Sequence, residues 1–303
     1  MSFREAVESG KFLITCEVGP PKGVNIGPVL EEAELLKDRV DGINVTDLQA
    51  ACMRVSSVAT CALLKQRGVE AILQMVCRDR NRISLQSEIL GAYLLGIRNV
   101  LCLTGDHVVL GDHVEAKPVF DLDSVSLLQA ARGLAEGKDL AGNELEEAPK
   151  DLFLGAIVTP GAEPVEPQIY KLHNKVKAGA RFIQTQAVYD AGAFARFMER
   201  VSDLEVPVLA GIVLLKSAGM ARYMNANVAG VSVPDPLIKE MAEAGQKDKA
   251  AKADGKKADY RVKTSIEIAA RLMRDLKPLC RGVHIMPLGW GHHVAAVLEA
   301  AGL

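Results

Sequence analysis

No run of about 20 apolar residues occurs in this 303-residue chain, and Met1-Ser2-Phe3-Arg4-Glu5 carries no signal-peptide pattern. The expectation is a cytoplasmic protein that neither spans nor coats a membrane. A net charge of −2 lacks the basic excess that nucleic acid or an anionic membrane surface would call for. The six cysteines, at 16, 52, 61, 77, 102 and 280, contain no Cys-x-x-Cys pair and no zinc-ligand spacing, so no metal site is expected. Cys16, Cys77 and Cys102 fall within or at the ends of apolar runs, where a thiol acts as a small core hydrophobe. Neither a Gly-x-Gly-x-x-Gly after a strand nor a Gly-x-x-x-x-Gly-Lys-Ser/Thr is present, which removes the Rossmann and P-loop sites. Aromatics make up only 4%, so few side chains can stack on a flat ligand: Tyr189, Phe194, Tyr223 and Trp290.

What is present is a rhythm. Five times a helix-like stretch meets a glycine and then an apolar, β-rich run: Asp41–Asp47, Gly68–Val76, Gly96–Thr104, Gly179–Gln186 and Gly282–Leu288. Glycine suits the left-handed residue that ends a helix, and an unbroken apolar run suits a strand buried on both faces. Extending the pattern gives eight strands, near 12–18, 42–46, 69–77, 98–104, 152–158, 181–186, 206–213 and 282–288. In 165–178, Val165, Ile169, Leu172 and Val176 share one helical face, and Val294, Val297, Leu298 and Ala301 do the same near the end. Eight strand–helix units in one chain of this length predict a single-domain (β/α)8 barrel, which typically needs about 250 residues. An open doubly wound sheet is the alternative. In either fold ligands meet the carboxyl ends of the strands, so Glu17, Thr46, Asp47, Asp106 and Gln186 are the first candidates for chemistry.

Two regions interrupt the rhythm. Residues 105–120 and 137–150 read as long loops between strands four and five. An elaborated segment at about 214–280 separates strands seven and eight, far more than one crossover helix needs. Its Lys/Ala-rich stretch, 246–257, reads as a solvated helix end or surface loop in preference to a basic docking patch.

The strand ends, taken in order, resemble the methylenetetrahydrofolate reductase family over nearly the whole chain. Cys16-Glu17-Val18-Gly19-Pro20-Pro21 is similar to the family's first-strand signature, and Leu103-Thr104-Gly105-Asp106 to its fourth-strand Gly-Asp. Asn44-Val45-Thr46, Pro160–Pro164, Lys175–Gln186 with its Thr-Gln, and Gly282-Val283-His284 fit in sequence order. The resemblance implies a flavin-dependent reductase of 5,10-methylenetetrahydrofolate on an α/β barrel, giving 5-methyltetrahydrofolate. Opening the substrate's five-membered ring needs a proton on the leaving nitrogen, and Glu17 occupies the family's position for that general acid. A carboxyl shielded from water can hold the proton this role requires.

By the same resemblance Asp106 serves catalysis, flavin and pterin together, and Gln186 contacts the pterin with an amide that both donates and accepts. Flavin contacts are implied for Thr46, Gln74, Leu103, Thr104, Gly105, Asp106, Thr159, Glu163 and Lys175, the last facing phosphate. Taken alone, each has an ordinary reading: a loop cap for Glu17, a turn for Asp106, a backbone-satisfied amide for Gln186, a solvated surface charge for Lys175. Five positions depart from the family pattern, Gln74 among them, where many relatives carry histidine beside the flavin. Thr159 and Glu163 stand where relatives have tyrosine and histidine, Asn174 replaces an arginine, and Ala218 stands near a nicotinamide-stacking aromatic. These losses weaken both the preference for FAD over FMN, which the family favours, and direct reduction by NAD(P)H. The electron donor is then NAD(P)H or a partner iron–sulfur or zinc-containing redox subunit, in a homo- or hetero-oligomer. Two other functions fit the same residues: a folate-linked methyltransferase without flavin, and a non-catalytic partner-binding subunit.

Overall fold

The computed structural model describes residues 1–303. Eight parallel strands close a barrel in sequence order: β1 (Leu13–Val18), β2 (Gly42–Val45), β3 (Ala71–Val76), β4 (Asn99–Leu103), β5 (Phe153–Val158), β6 (Phe182–Ala187), β7 (Val208–Val213) and β8 (Gly282–Met286). β1 pairs with both β2 and β8, with Thr15 opposite Gly42 on one side and His284 on the other. The expected eight-stranded barrel is therefore the fold, and the open sheet is excluded. Strand ends fall within about two residues of the sequence expectation, because apolar runs extend past the last ladder hydrogen bond.

Helices α2 (Gly27–Leu36), α3 (Ser57–Gln66), α4 (Arg82–Leu94), α5 (Ser124–Ala135), α6 (Glu166–Ala178) and α7 (Ala191–Arg200) make the first six crossovers. Three more, α8 (Ala218–Asn227), α9 (Asp235–Ala253) and α10 (Tyr260–Leu276), fill the interval before β8, and α11 (Val294–Ala301) packs against α10. The Lys/Ala-rich stretch is the second half of α9 and the turn after it. One residue there departs from a solvated face: buried Asp248 accepts the Tyr260 backbone N–H at 2.7 Å and the Arg261 Nε–H at 2.7 Å, tethering α10. Residues 105–120 and 137–150 are largely irregular, apart from a 3-10 turn at Val108–Leu110 and a short bridge between Lys138 and Glu144.

An element not foreseen, α1 (Phe3–Glu8), closes the amino-terminal end of the barrel. Ser2 caps it and Glu5 completes the capping box. Its Phe3 is fully buried, edge-on to Phe153 and Phe182 with centroids 6.0 and 5.0 Å away. The helix is only six residues long, too short for a periodic signal, and it is held by that aromatic plug.

Gly155, opposite Phe182 in the β5–β6 ladder, gives the plug its room. A Cβ there would lie 2.2 Å from the Phe182 ring. Gly155→Ala is expected to destabilise the fold by about 1–3 kcal/mol through overpacking, read as a lower urea midpoint with unchanged slope. A midpoint equal to wild type would show that the plug can shift freely.

Candidate active site

Glu17 sits on β1 one residue before the strand end, 8% exposed at the carboxyl-terminal rim. Its Oε1 accepts from Gln49 Nε2 at 3.1 Å and its Oε2 from Gln74 Nε2 at 3.3 Å, while His284 Nε2 lies 3.9 Å from Oε2. Beneath it the barrel lumen is polar. Asn44 and Gln184 exchange two amide hydrogen bonds (2.8 and 3.0 Å), Gln184 Nε2 also donates to Thr15 Oγ1 at 3.1 Å, and Thr15 meets His284 Nδ1 at 3.0 Å. This chain of satisfied groups fixes the floor under Glu17.

A cavity of about 340 Å³ opens beside it at the same rim. Leu103 at the end of β4 and Thr104, Gly105 and Asp106 after it form one wall, Thr159 after β5 and Gln186 on β6 another, and Gln74 on β3 also lines it. Lys171 and Lys175, one turn apart on α6, complete it. Glu17 itself faces an adjoining cleft of about 370 Å³ with Glu32 and Arg54, and Gln49 borders both spaces. Glu17 and Asp106 therefore serve one mouth, with Gln74 and Gln49 between them.

Asp106 is exposed and its carboxylate has no protein partner, while its backbone carbonyl accepts from Arg78 Nη1 at 3.1 Å. Gln186 uses its own oxygen to accept from the Ala187 N–H at 3.1 Å, leaving its amide N–H groups for a ligand. Thr46 is buried with no hydrogen-bond partner for its hydroxyl, and it lines neither the cavity nor the adjoining cleft.

Burial pushes the Lys175 ammonium down to about 8, with Lys171 adding to the effect, and its Nζ donates to the Ile157 carbonyl at 2.6 Å. A buried cation with no carboxylate of its own suits an incoming phosphate.

Not every expected residue reaches this mouth. Glu163 is exposed on the turn before α6 and does not line the cavity. Asp47, a candidate strand closer, does border the cavity, but its carboxylate is committed to the scaffold: it binds Arg80 through both oxygens (2.7 and 3.2 Å) and accepts from the Val76 N–H and the Ser57 hydroxyl. None of the four aromatics named for stacking lines the cavity, and Tyr189 and Phe194 are core residues. The cysteines at 16, 77 and 102 are buried, with their thiols pushed up by burial, Cys77 to about 12. No group of three or more His, Cys, Asp or Glu side chains is arranged to hold a metal.

Several site residues carried no signal of their own. Arg78, 2% exposed, ties the two loops at the rim by donating to the Leu48 and Asp106 carbonyls, and it pairs with Asp79 at 2.7 Å. Gln49 lies in a loop with left-handed backbone at Leu48, Ala50 and Ala51 (φ +47°, +54° and +56°), a costly conformation for residues with a Cβ. That loop packs on Gly111, where a Cβ would lie 1.9 Å from the Ala51 carbonyl oxygen. Glu32 on α2 borders the Glu17 cleft, and burial raises its carboxyl. Lys171 was hidden among other charges on an amphipathic helix.

The family profile described as methylenetetrahydrofolate reductase matches residues 2–302. The chain belongs to the methylenetetrahydrofolate reductase family. Among curated relatives, methylenetetrahydrofolate reductase 2 of Schizosaccharomyces pombe is 26% identical over 82% of this chain and 38% of its own length. The probable NADPH enzyme of Caenorhabditis elegans is 21% identical over 98% and 43%, and the 5,10-methylenetetrahydrofolate reductase of Salmonella typhimurium 26% identical over 56% and 53%. The chain thus spans about two-fifths to one-half of the length of these family members. Among solved structures, an uncharacterised protein from Clostridium thermocellum that binds two copies of 5-methyl-5,6,7,8-tetrahydrofolic acid superposes with a TM-score of 0.60 at 16% identity, over 98% of this chain and 96% of that one. A 2,3-dimethylmalate lyase superposes at 0.53 and 12% identity over 100% and 89%. At such identities these two likenesses concern the barrel alone.

Lys175 gives a test of the cation wall. Its folded value near 8 lies below the unfolded value of 10.5, so between those pH values the unfolded chain binds more protons and stability rises with pH. Below pH 8 the charged amine costs the ligand-free fold stability. Lys175→Met is therefore expected to raise the melting temperature of cofactor-free protein at pH 7, by about 1 kcal/mol or more in stability. The gain should shrink as pH approaches 10, and a variant that is less stable at every pH would overturn this reading of the lysine.

Proposed function

We propose that this chain reduces 5,10-methylenetetrahydrofolate to 5-methyltetrahydrofolate with a bound flavin. The observation that carries the reading is the convergence of Glu17, Gln74, Asp106, Gln186 and Lys175 on one mouth of a barrel whose family is named for that reaction. The Clostridium thermocellum barrel, alike in fold, binds 5-methyl-5,6,7,8-tetrahydrofolic acid, so a folate is compatible with this architecture.

The residues fit a flavin. Leu103, Thr104, Gly105 and Thr159 wall the cavity, and the backbone and hydroxyl groups of that wall give polar contacts to a ring edge. Lys171 and Lys175 would face phosphate. A volume of 340 Å³ is at the small end of ligand cavities, which matches a ring system inside and a phosphate chain running out over α6. Without an arginine at Asn174 or an aromatic at the Thr159, Glu163 and Ala218 positions, those two lysines are the charge available for phosphate, and FAD and FMN both remain compatible with them. When bound, the flavin supplies the hydride.

The remaining chemistry belongs to the chain. Asp106, free of protein partners, accepts N–H groups of the pterin and fixes its orientation. Gln186 offers its free amide hydrogens to a pterin acceptor. Glu17 is the acid that protonates the leaving ring nitrogen, which opens the five-membered ring and leaves an electrophilic methylene carbon. Its two amide donors, Gln49 and Gln74, match an ionised carboxylate and so hold it in place after the proton has left. The electron donor is NAD(P)H or a partner redox subunit.

A second carboxyl must be tested beside it, because Glu32 borders the same cleft and burial raises it. Glu17→Gln is expected to keep flavin content and flavin reduction while slowing methylene reduction by about 10²–10⁴-fold, the usual worth of general acid catalysis. Glu32→Gln should retain most of the activity. The reverse ranking would move the acid role to Glu32, and a purified protein that is colourless even after flavin is added would favour a flavin-free methyltransferase.

Asp106→Asn is expected to weaken 5-methyltetrahydrofolate binding about tenfold or more, the worth of a charge-assisted hydrogen bond. It should also raise the flavin midpoint potential, since a nearby negative charge is removed. Unchanged affinity and potential together would take Asp106 out of the site.

A further inference from the structure

We infer that the amino-terminal face of the barrel carries a second binding site, for a small polyphosphate anion, on the side opposite the mouth described above. A cleft of about 610 Å³ lies there against the starts of β5–β8. Five cationic side chains line it: Arg4 from α1, Arg132 from α5, and Lys150, Arg181 and Arg281 from the segments that lead into β5, β6 and β8. Only two carboxylates accompany them, Glu8 and Glu205, and neither is within ion-pair distance of a cation. The local balance is five positive against two negative charges, on a chain whose net charge is −2.

What sets the cleft apart is that cations without carboxylate partners are gathered together, whereas unpaired arginines such as Arg67, Arg196 and Arg222 do not line it. Arg39, Arg82, Arg98 and Arg271 each meet a carboxylate. In the cleft, Lys150, Arg181 and Arg281 meet none. Arg4 is held by neutral groups: Nη2 donates to the carbonyls of Asp151 (3.3 Å) and Leu152 (2.8 Å), and the guanidinium lies over the Phe153 ring at 5.2 Å. Arg132 donates to the Lys177 carbonyl at 3.0 Å, with Glu136 3.4 Å from its Nε outside the cleft lining. Backbone carbonyls orient both guanidiniums; the charge of Arg4 is left without a carboxylate, while that of Arg132 is offset in part by the exposed Glu136.

Like charges gathered on one surface repel, so such a cluster lowers the stability of the free fold. The amino-terminal face of a barrel ordinarily serves stability, and this arrangement works against it. A ligand with several negative oxygens removes the repulsion and finds two guanidiniums already aimed. The cleft is of ligand size, and Phe153 and Pro207 in its wall give an apolar surface beside the cations. A linear polyphosphate, free or as part of a nucleotide, has the charge and length for it. This site is independent of the reaction at the mouth, so neither reading depends on the other.

The test is titration calorimetry on the full chain with tripolyphosphate, ATP and adenosine at about 0.1 M salt, where surface charges are only partly screened. Saturable binding of tripolyphosphate and ATP, with none for adenosine, is expected. Equal affinities would point to free polyphosphate as the source and tighter ATP to a nucleotide; both support the site. The exposed double substitution Arg181→Glu/Arg281→Glu should weaken binding at least tenfold, and Lys150→Glu should do so in part, without loss of flavin content. Lys171→Glu, at the other end of the barrel, should leave it unchanged. No saturable binding, or binding that Lys171→Glu removes and the double substitution spares, would overturn the proposal.

Discussion

A pair of amide hydrogen bonds across the barrel lumen, between Asn44 on β2 and Gln184 on β6, is the contact on which the candidate active site depends. The lumen of a closed parallel barrel is a packed core, and an amide buried there must find both donor and acceptor partners or lose the cost of its desolvation. Asn44 and Gln184 satisfy each other, and the spare Gln184 N–H reaches Thr15, which in turn meets His284. Four strands are joined in this way at one level of the barrel. Glu17 stands one pleat above Thr15 on the same face of β1, so the carboxyl rests on a floor that cannot repack without breaking several buried bonds at once.

Above that floor the rim is built from loops, and their positions are set by side chains that never touch a substrate. Asp47 turns its carboxylate into the protein, where Arg80, Ser57 and the Val76 N–H consume it, and so fixes the end of β2 beside β3. Arg78 then spans from the Leu48 carbonyl to the Asp106 carbonyl, so the loop carrying Gln49 and the loop carrying Asp106 move together or not at all. The left-handed residues at 48, 50 and 51 are held in a costly conformation by these same contacts and by the close approach of Gly111. Strain of this kind persists only where surrounding structure over-determines it, and here it delivers the Gln49 amide to Glu17.

The legible part of the sequence is the part governed by short-range periodicity. Buried parallel strands are apolar on both faces, so their runs stood out, and their glycine starts marked where helices stop. Strand-end polar residues were legible as a set, because the barrel sends all carboxyl ends to one rim. What each does there was not legible. Asp47 and Asp106 both close strands, yet one is consumed by an arginine 33 residues later and the other is free, and no local pattern separates them. Glu163 lies in the right segment but its turn directs it to solvent. Arg78, Lys171 and Glu32 are charges among many, and only burial and neighbours from other strands single them out. The α1 plug was invisible for the opposite reason, since six residues are too few for a period and its stability comes from Phe153 and Phe182 far along the chain.

The same geometry explains how one barrel can carry opposite electrostatic tasks at its two ends. At the carboxyl-terminal rim, the reaction assigned to the mouth needs an acid, a pterin acceptor and a phosphate partner close together, and groups of both signs gather there: the carboxyls of Glu17 and Asp106 and the ammonium groups of Lys175 and Lys171. Burial is the device there, since it depresses the Lys175 ammonium and raises the neighbouring Glu32 carboxyl, each leaning toward its neutral form until a ligand arrives. At the amino-terminal end, repetition of one sign in an open cleft replaces burial. The two ends are separated by the Phe3–Phe153–Phe182 plug and the amide layer above it, an apolar stratum and then a hydrogen-bonded one.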